Sequence, residues 1–261
     1  MAADGGRIRE LIGFDLELQR TVLERRPWTD GESAGDLSER IGVEEPGADE
    51  ATFVRLVGFD EVGRGALAGP VTVACASIDL RGSTGAPPER IEELATLLPH
   101  LDDSKKLTPK RREATVRALD RCAAWGIGHA WAAEIDRFGI VAACERAARR
   151  ALDRLPVSAD VALFDRGLRL PDSTQHLPSI ELTRGDARSL HVAGASVLAK
   201  VARDALMCSL DRRFPGYELG RHKGYGTAAH RRAIACSGPS LIHRRSFLGA
   251  IAGPETPPRA H

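Results

Sequence analysis

Four carboxylates sit where side chains can do chemistry. Asp60 and Glu61 are adjacent at the end of an apolar run (Phe53, Val54, Leu56, Val57, Phe59), and a glycine-rich turn follows them, Gly63-Arg64-Gly65 with Gly69-Pro70. Asp165 ends a second apolar run, Val161-Ala162-Leu163-Phe164. Asp186 follows Gly185 just before a long helical stretch. Successive strand residues point to opposite faces, so one of the paired acids can face a site while the other lies across the strand end. Glycines let a backbone take positive φ or approach a ligand closely, and Arg64 between two of them can present its charge to a phosphate. Each feature also has an ordinary role open to it: a tight hairpin with surface acids for 60–65, and a helix N-cap for Asp186. Two familiar glycine motifs are excluded. The spacing from Gly58 to Gly63 fits a phosphate loop, but Arg64-Gly65 stand where Lys-Ser/Thr is needed. Gly63, Gly65 and Gly69 are one residue too widely spaced for a dinucleotide fingerprint. No His/Cys set has zinc spacing.

The elements that must position these residues alternate. Strand composition predicts strands at 53–60, 70–79 and 124–132, then at 161–164 and 180–183. Helical periodicity predicts helices at 91–98, 107–121, 139–154 and 188–214. Strands followed by helices imply an α/β domain with helices flanking the sheet, and the short turn between the first two strands makes part of the sheet antiparallel. Ahead of this domain, Ile8, Leu11, Ile12, Val22 and Leu23 recur at helical spacing over 7–26, a helix that packs on the domain or binds a partner. Residues 27–51 are rich in glycine and acids and read as a linker. The expected division is 1–50 for the N-terminal helix and acidic linker, 51–250 for the main domain and 251–261 for a disordered tail. Gly194, among the small residues of the last long helix, is expected to permit close packing against the sheet.

Composition bounds the rest. The chain has 261 residues, 43% apolar and 28% charged, as in a globular protein with one main domain. Its 37 basic and 36 acidic residues nearly cancel, but their distribution is uneven. Twelve bases against four acids lie between Arg184 and Arg245, which suits a polyanion or, equally, solvated helix faces. Five scattered cysteines without C-x-x-C read as reduced thiols in a cytoplasmic protein. No segment has the apolar length of a membrane span, and the first residues show no signal-peptide pattern.

The stretch V-G-F-D-E-V-G-R-G-A-L-A-G-P-V closely resembles the signature of bacterial type 2 ribonuclease H (ribonuclease HII), with Asp60, Glu61, Gly63, Arg64, Gly65, Gly69 and Pro70 all on the pattern. Arg64 favours type 2 over the related type 3 enzymes, which usually lack it. Gly185-Asp186-Ala187-Arg188-Ser189 resembles the family's G-D-x-x-S, and the run from Ala195 to Asp204 its A-x-S-x-x-A-K-x-x-R-D. Asp103–Leu107 resembles D-S-K-x-L, His222–Thr227 H-K-G-Y-x-T, and His243–Phe247 H-R-x-S-F. One residue departs: the family usually has glycine after its third aspartate, and Arg166 stands there.

The resemblance implies a ribonuclease H-like mixed β-sheet flanked by helices. It also implies an endonuclease that hydrolyses the phosphodiester 5′ of ribonucleotides, in RNA/DNA hybrids and at single ribonucleotides embedded in duplex DNA. Asp60, Glu61, Asp165 and Asp186 would hold two divalent ions, Mn²⁺ or Mg²⁺, which activate water and stabilise the leaving oxygen. Without metal such acids repel one another, so one should keep a proton at neutral pH. Gly63, Arg64 and Gly65 would read the 2′-hydroxyl, and Tyr225 would stack on the next, deoxy, sugar. Lys105 and Lys223 would contact phosphates or remain solvated. The protein would be a cytoplasmic monomer. A binding protein with this fold but no turnover stays open should Arg166 disable the site, as does a type 3-like nuclease. Since every matched motif lies after Phe53, residues 1–50 are expected to be dispensable for the chemistry.

Overall fold

The computed structural model describes residues 5–23, 54–80, 87–101, 104, 106–174 and 177–249. The acidic linker, the C-terminal tail, Asp103 and Lys105 therefore lie outside the described residues. Five strands form one mixed sheet in the order β3-β2-β1-β4-β5. They are β1 (Leu56–Val62), β2 (Val71–Ile78), β3 (Ala123–Ala130), β4 (Val161–Asp165) and β5 (Ser179–Leu182). β2 pairs antiparallel with β1 and β3, whereas β1–β4 and β4–β5 are parallel.

The helices are α1 (Gly6–Leu23), α2 (Pro87–Leu97), α3 (Pro109–Cys122), α4 (Ala132–Leu152), α5 (Leu190–Arg213), α6 (Leu219–His222), α7 (Ala228–Ser237) and α8 (Arg245–Leu248). α4 covers one face of the sheet, where Ala143, Ala147, Ala148 and Ala151 pack with Val57, Phe59, Val73 and Cys75. α5 covers the other face, with α1, α2 and α3 outside it. The expected amphipathic N-terminal helix is present. It buries Ile8, Leu11 and Ile12 against Leu94 and Leu98, and Leu18 and Val22 against Val54, Leu56 and Val192.

Three sequence expectations need correction. First, a helical segment from Ala132 precedes the expected helix, which itself stands where the sequence places it: Gly139, with a φ of 79° and a ψ of 164°, divides α4 into two helices at that point. Second, β1 runs on to Val62, so Asp60 and Glu61 lie within the strand: they pair with Ala74 and Val73 of β2, while the parallel partner β4 is matched only as far as Phe59. Third, the close approach of helix to sheet is made at Gly58, not at Gly194. A Cβ on Gly58 would lie 2.3 Å from backbone atoms of His191 and Val192, whereas one on Gly194 would meet nothing nearer than 3.5 Å. α5 thus sits directly on the strand that carries the paired acids.

Candidate active site

The parallel register carries Asp60 and Asp165 to the same edge, each following a matched pair, Phe59 and Phe164. Leu56 packs toward Val192 of α5 while Val57 and Phe59 pack toward α4. By alternation Asp60 therefore faces α5 and Glu61 the α4 side. Asp60 accepts a hydrogen bond from the Ser196 side chain of α5 and from the Glu61 N–H at 2.8 Å. Burial raises its pKa to about 8, and the neighbouring charges of Glu61 and Asp165 add to the rise. Burial also raises Glu61, with Asp165 adding repulsion and Arg64 opposing it.

Asp186 reaches this edge through its backbone. It lies in a short 3-10 turn, Gly185–Ala187, and the Gly185 N–H donates to Asp165 Oδ1 at 2.9 Å. Asp186 does not cap the long helix. Ser189 does, accepting from the Val192 N–H at 3.3 Å. Among the described residues no three His, Cys, Asp or Glu side chains stand close enough to hold a metal ion between them. The donor set nevertheless fits a hard divalent cation. It is all oxygen, burial and mutual repulsion raise the pKa of Asp60 and Glu61, and Mg²⁺ keeps several waters and needs only one or two carboxylates beside substrate phosphates.

The glycine-rich turn beside the acids is held from below by two buried arginines to which the motif reading had assigned no role. Arg203 of α5 donates to Pro70 O (3.0 Å), Lys223 O (2.9 Å) and Ala68 O (3.3 Å). Arg244 donates to Gly69 O (3.0 Å) and Arg64 O (2.8 Å). Gly63 has a φ of 93°, and a Cβ there would lie 2.0 Å from Arg203 Nε, so the turn can close on the guanidinium only without a side chain. Among the described residues neither the Arg64 nor the Gly65 N–H has an acceptor within the chain, and Gly65 is exposed. Ser196 and Ser104 also went unassigned. Their hydroxyls bond each other at 2.9 Å, tying the D-S-K-x-L segment to the partner of Asp60. The available signal was their presence inside the long motifs.

The H-K-G-Y turn is hydrogen-bonded to the same loop, through Leu67 N and Ala68 N to Gly224 O at 2.8 and 3.3 Å. The exposed Tyr225 ring lies beside it, 5.4 Å from the Arg203 guanidinium. His230 Nδ1 bonds Tyr225 O at 3.0 Å, and its Nε2 bonds His243 Nε2 at 3.1 Å. The basic residues are less available than charge counting implies. Arg203 and Arg244 are internal, and the Lys223 ammonium binds Gly220 O and Cys208 Sγ. Arg64, though partly exposed, is engaged within the chain, donating to Gly167 O at 3.2 Å and standing 3.6 Å from Glu61 Oε1. Arg166 is exposed, in a turn closed by Leu168 N–H to Asp165 O at 3.2 Å. The positive φ of that turn, 82°, falls on Gly167, so the turn accepts an arginine at 166.

Comparison with known proteins bears on the family and the fold. The family model for ribonuclease HII matches residues 57–250. A ribonuclease HII of Synechococcus sp. (strain WH7803) is 46% identical over 195 residues, covering 74% of this chain and 93% of the relative. The crystal structure of the ribonuclease H2 from Pyrococcus horikoshii OT3 superposes with a TM-score of 0.57 at 24% identity, over 74% of this chain and 93% of that one. Bst-RNase HIII in complex with Mn²⁺ superposes with a TM-score of 0.53 at 19% identity, over 74% of this chain and 67% of that one. At such identities the two structures speak for the fold alone, a ribonuclease H-like mixed sheet flanked by helices. With the family match over three quarters of its length, the chain belongs to the ribonuclease HII family.

Proposed function

We propose that this chain cuts the phosphodiester on the 5′ side of a ribonucleotide, both in RNA/DNA hybrids and at single ribonucleotides within duplex DNA. It would do so with two divalent ions held by Asp60, Glu61, Asp165 and Asp186. Membership of the family makes it a metal-dependent endonuclease of the ribonuclease H class. The ions, Mn²⁺ or Mg²⁺, would supply activation of the attacking water and charge stabilisation at the leaving oxygen. The chain's own part is to present Asp60 from the strand, to hold Glu61 against Arg64, and to keep the Gly63–Gly65 backbone rigid. The unpaired Arg64 and Gly65 N–H groups are available to a 2′-hydroxyl, the group that distinguishes RNA from DNA. Tyr225, presented on the same wall, would stack on the following deoxy sugar. Lys223 could contact a phosphate only by leaving Gly220 O, and Lys105 would be a second phosphate contact.

One observation carries this reading: the strand bearing the paired acids runs directly into a turn locked by Arg203 and Arg244, and that turn is bonded to the loop presenting Tyr225. The test is cleavage of an end-labelled DNA duplex carrying one ribonucleotide, beside a duplex with a continuous RNA strand, in Mg²⁺, Mn²⁺ or EDTA. Cuts 5′ of the single ribonucleotide that vanish in EDTA are expected. Cleavage of the continuous RNA strand alone would make the substrate reading wrong.

A further inference from the structure

The N-terminal helix lies outside the 57–250 match, yet it grips the segment that carries Asp186. Its Asp15 is fully buried at the N-terminus of α5. Oδ2 accepts from the Leu190 N–H at 2.8 Å and the His191 N–H at 3.4 Å, and the carboxyl also bonds the Ser189 side chain. These include N–H groups that a helix start leaves without intrahelical partners, so Asp15 acts as a second cap supplied from another helix. Two turns earlier in α1, Arg7 Nη2 donates to the Ala187 carbonyl, and the Arg188 guanidinium lies 4.6 Å over the Phe14 ring. Asp186 therefore sits between Gly185, whose N–H is held by Asp165, and Ala187, whose carbonyl is held by Arg7.

We propose that α1 is a positioning element of the active site, with Arg7 and Asp15 clamping the Gly185–His191 segment so that Asp186 is held at the Asp60–Asp165 edge. This rests on the reading of Asp186 as a metal ligand. A second observation separates the clamp from ordinary packing. Among the described residues, Asp15 Oδ1 and His191 Nε2 are buried without hydrogen-bond partners, although Ile78 N–H satisfies His191 Nδ1 at 3.1 Å. Buried orphan polar atoms are rare and costly, so a helix docked for stability alone would be expected to present an apolar residue here. Asp15 instead spends its other oxygen on the backbone leading out of the Asp186 turn. The paired acids need no such device because they lie inside a hydrogen-bonded strand. Asp186 lies in an irregular turn, where only side chains can fix the backbone.

The test uses the full chain and reads Mn²⁺ binding by isothermal titration calorimetry, with thermal midpoint and kcat and KM on a single-ribonucleotide duplex beside it. Arg7→Met should weaken Mn²⁺ binding roughly 5- to 20-fold. It should lower kcat at limiting Mn²⁺, recover at saturating Mn²⁺ and leave KM for the duplex unchanged. Arg7→Lys should restore most of the affinity, and Asp15→Asn should weaken binding in the same direction. Arg9→Met removes the ion pair with Glu92 (2.7 Å) that ties α1 to α2. It should lower the thermal midpoint without changing Mn²⁺ affinity. If Asp186→Asn abolishes Mn²⁺ binding while Arg7→Met and Asp15→Asn stay within twofold of the parent, the clamp is refuted and the ligand reading stands. If Asp186→Asn itself changes neither Mn²⁺ binding nor cleavage, the ligand reading is refuted and the clamp with it.

Discussion

Replacing Arg203 by Met tests whether the glycine-rich turn owes its shape to one side chain. The guanidinium is fully buried and donates to Pro70 O, Lys223 O and Ala68 O at 3.0, 2.9 and 3.3 Å. Methionine has a similar stem and donates nothing. Each carbonyl left without its partner costs about 1–3 kcal/mol, with the long Ala68 bond at the low end. Against that, Met avoids burying a charge, and burial already lowers the Arg203 pKa. The net loss should be about 3–5 kcal/mol, a large part of the ~5–15 kcal/mol by which proteins are stable. For a domain of this size each kcal/mol lowers the thermal midpoint by about 2–4 °C, so a fall of roughly 10–15 °C is expected. Folded protein remains to be assayed in the cold. There, Arg203→Met should cut the single-ribonucleotide duplex far more slowly than the parent, because Gly63 and the 68–70 carbonyls lose their common anchor. Arg203→Lys, which can keep one bond, should fall between. Circular dichroism melting and end-labelled cleavage at 10 °C measure both effects. A midpoint within about 3 °C of the parent, with cleavage at the parent's rate, would refute the reasoning.

Asp60→Asn should abolish cleavage while fluorescence anisotropy still reports duplex binding, since Asp60 bonds only the adjacent Glu61 N–H and the Ser196 side chain, both of which an asparagine oxygen can still accept from; turnover near the parent's rate would remove Asp60 from the site. Tyr225→Ala should lower kcat/KM roughly tenfold or less, because stacking is worth about 1–3 kcal/mol per base and a sugar contact less. The loss should be larger on the single-ribonucleotide duplex than on a continuous RNA strand and smaller for Tyr225→Phe, and equal losses on both substrates would end the junction-reading role. His243 gives a pH prediction. Burial holds its pKa down at about 4 against 6.5 in the unfolded chain, with His230 and His222 adding repulsion. As pH falls the unfolded chain binds the proton first, so this contribution is intact above about 6.5 and is lost between 6.5 and 4, by no more than about 3 kcal/mol. Urea unfolding of parent and His243→Gln across that window measures it: the parent should lose more stability than the variant, and parallel curves would contradict the assignment.

The residues of one stretch determined much by themselves. The pattern of apolar runs and turns predicts all five strands and the mixed character of the sheet, because strand composition and a short connection are local properties. The paired acids and the glycines were legible for the same reason. What the tertiary structure decided is how separated segments meet. Asp60 comes level with Asp165 through parallel pairing across about a hundred residues of chain, and the turn carrying Asp186 is tied to Asp165 by one bond from the Gly185 N–H. Charge counting treated Arg203 and Arg244 as members of a basic surface. Folding turns them into internal anchors, since their donors meet carbonyls that only the closed loop presents. Close packing was expected at Gly194 and is found at Gly58, because a glycine's type does not say which of two facing surfaces lacks room. The N-terminal helix was legible as amphipathic, but periodicity reports only that a face is buried. That this face carries Asp15 and meets the start of α5 depends on where the chain returns 175 residues later.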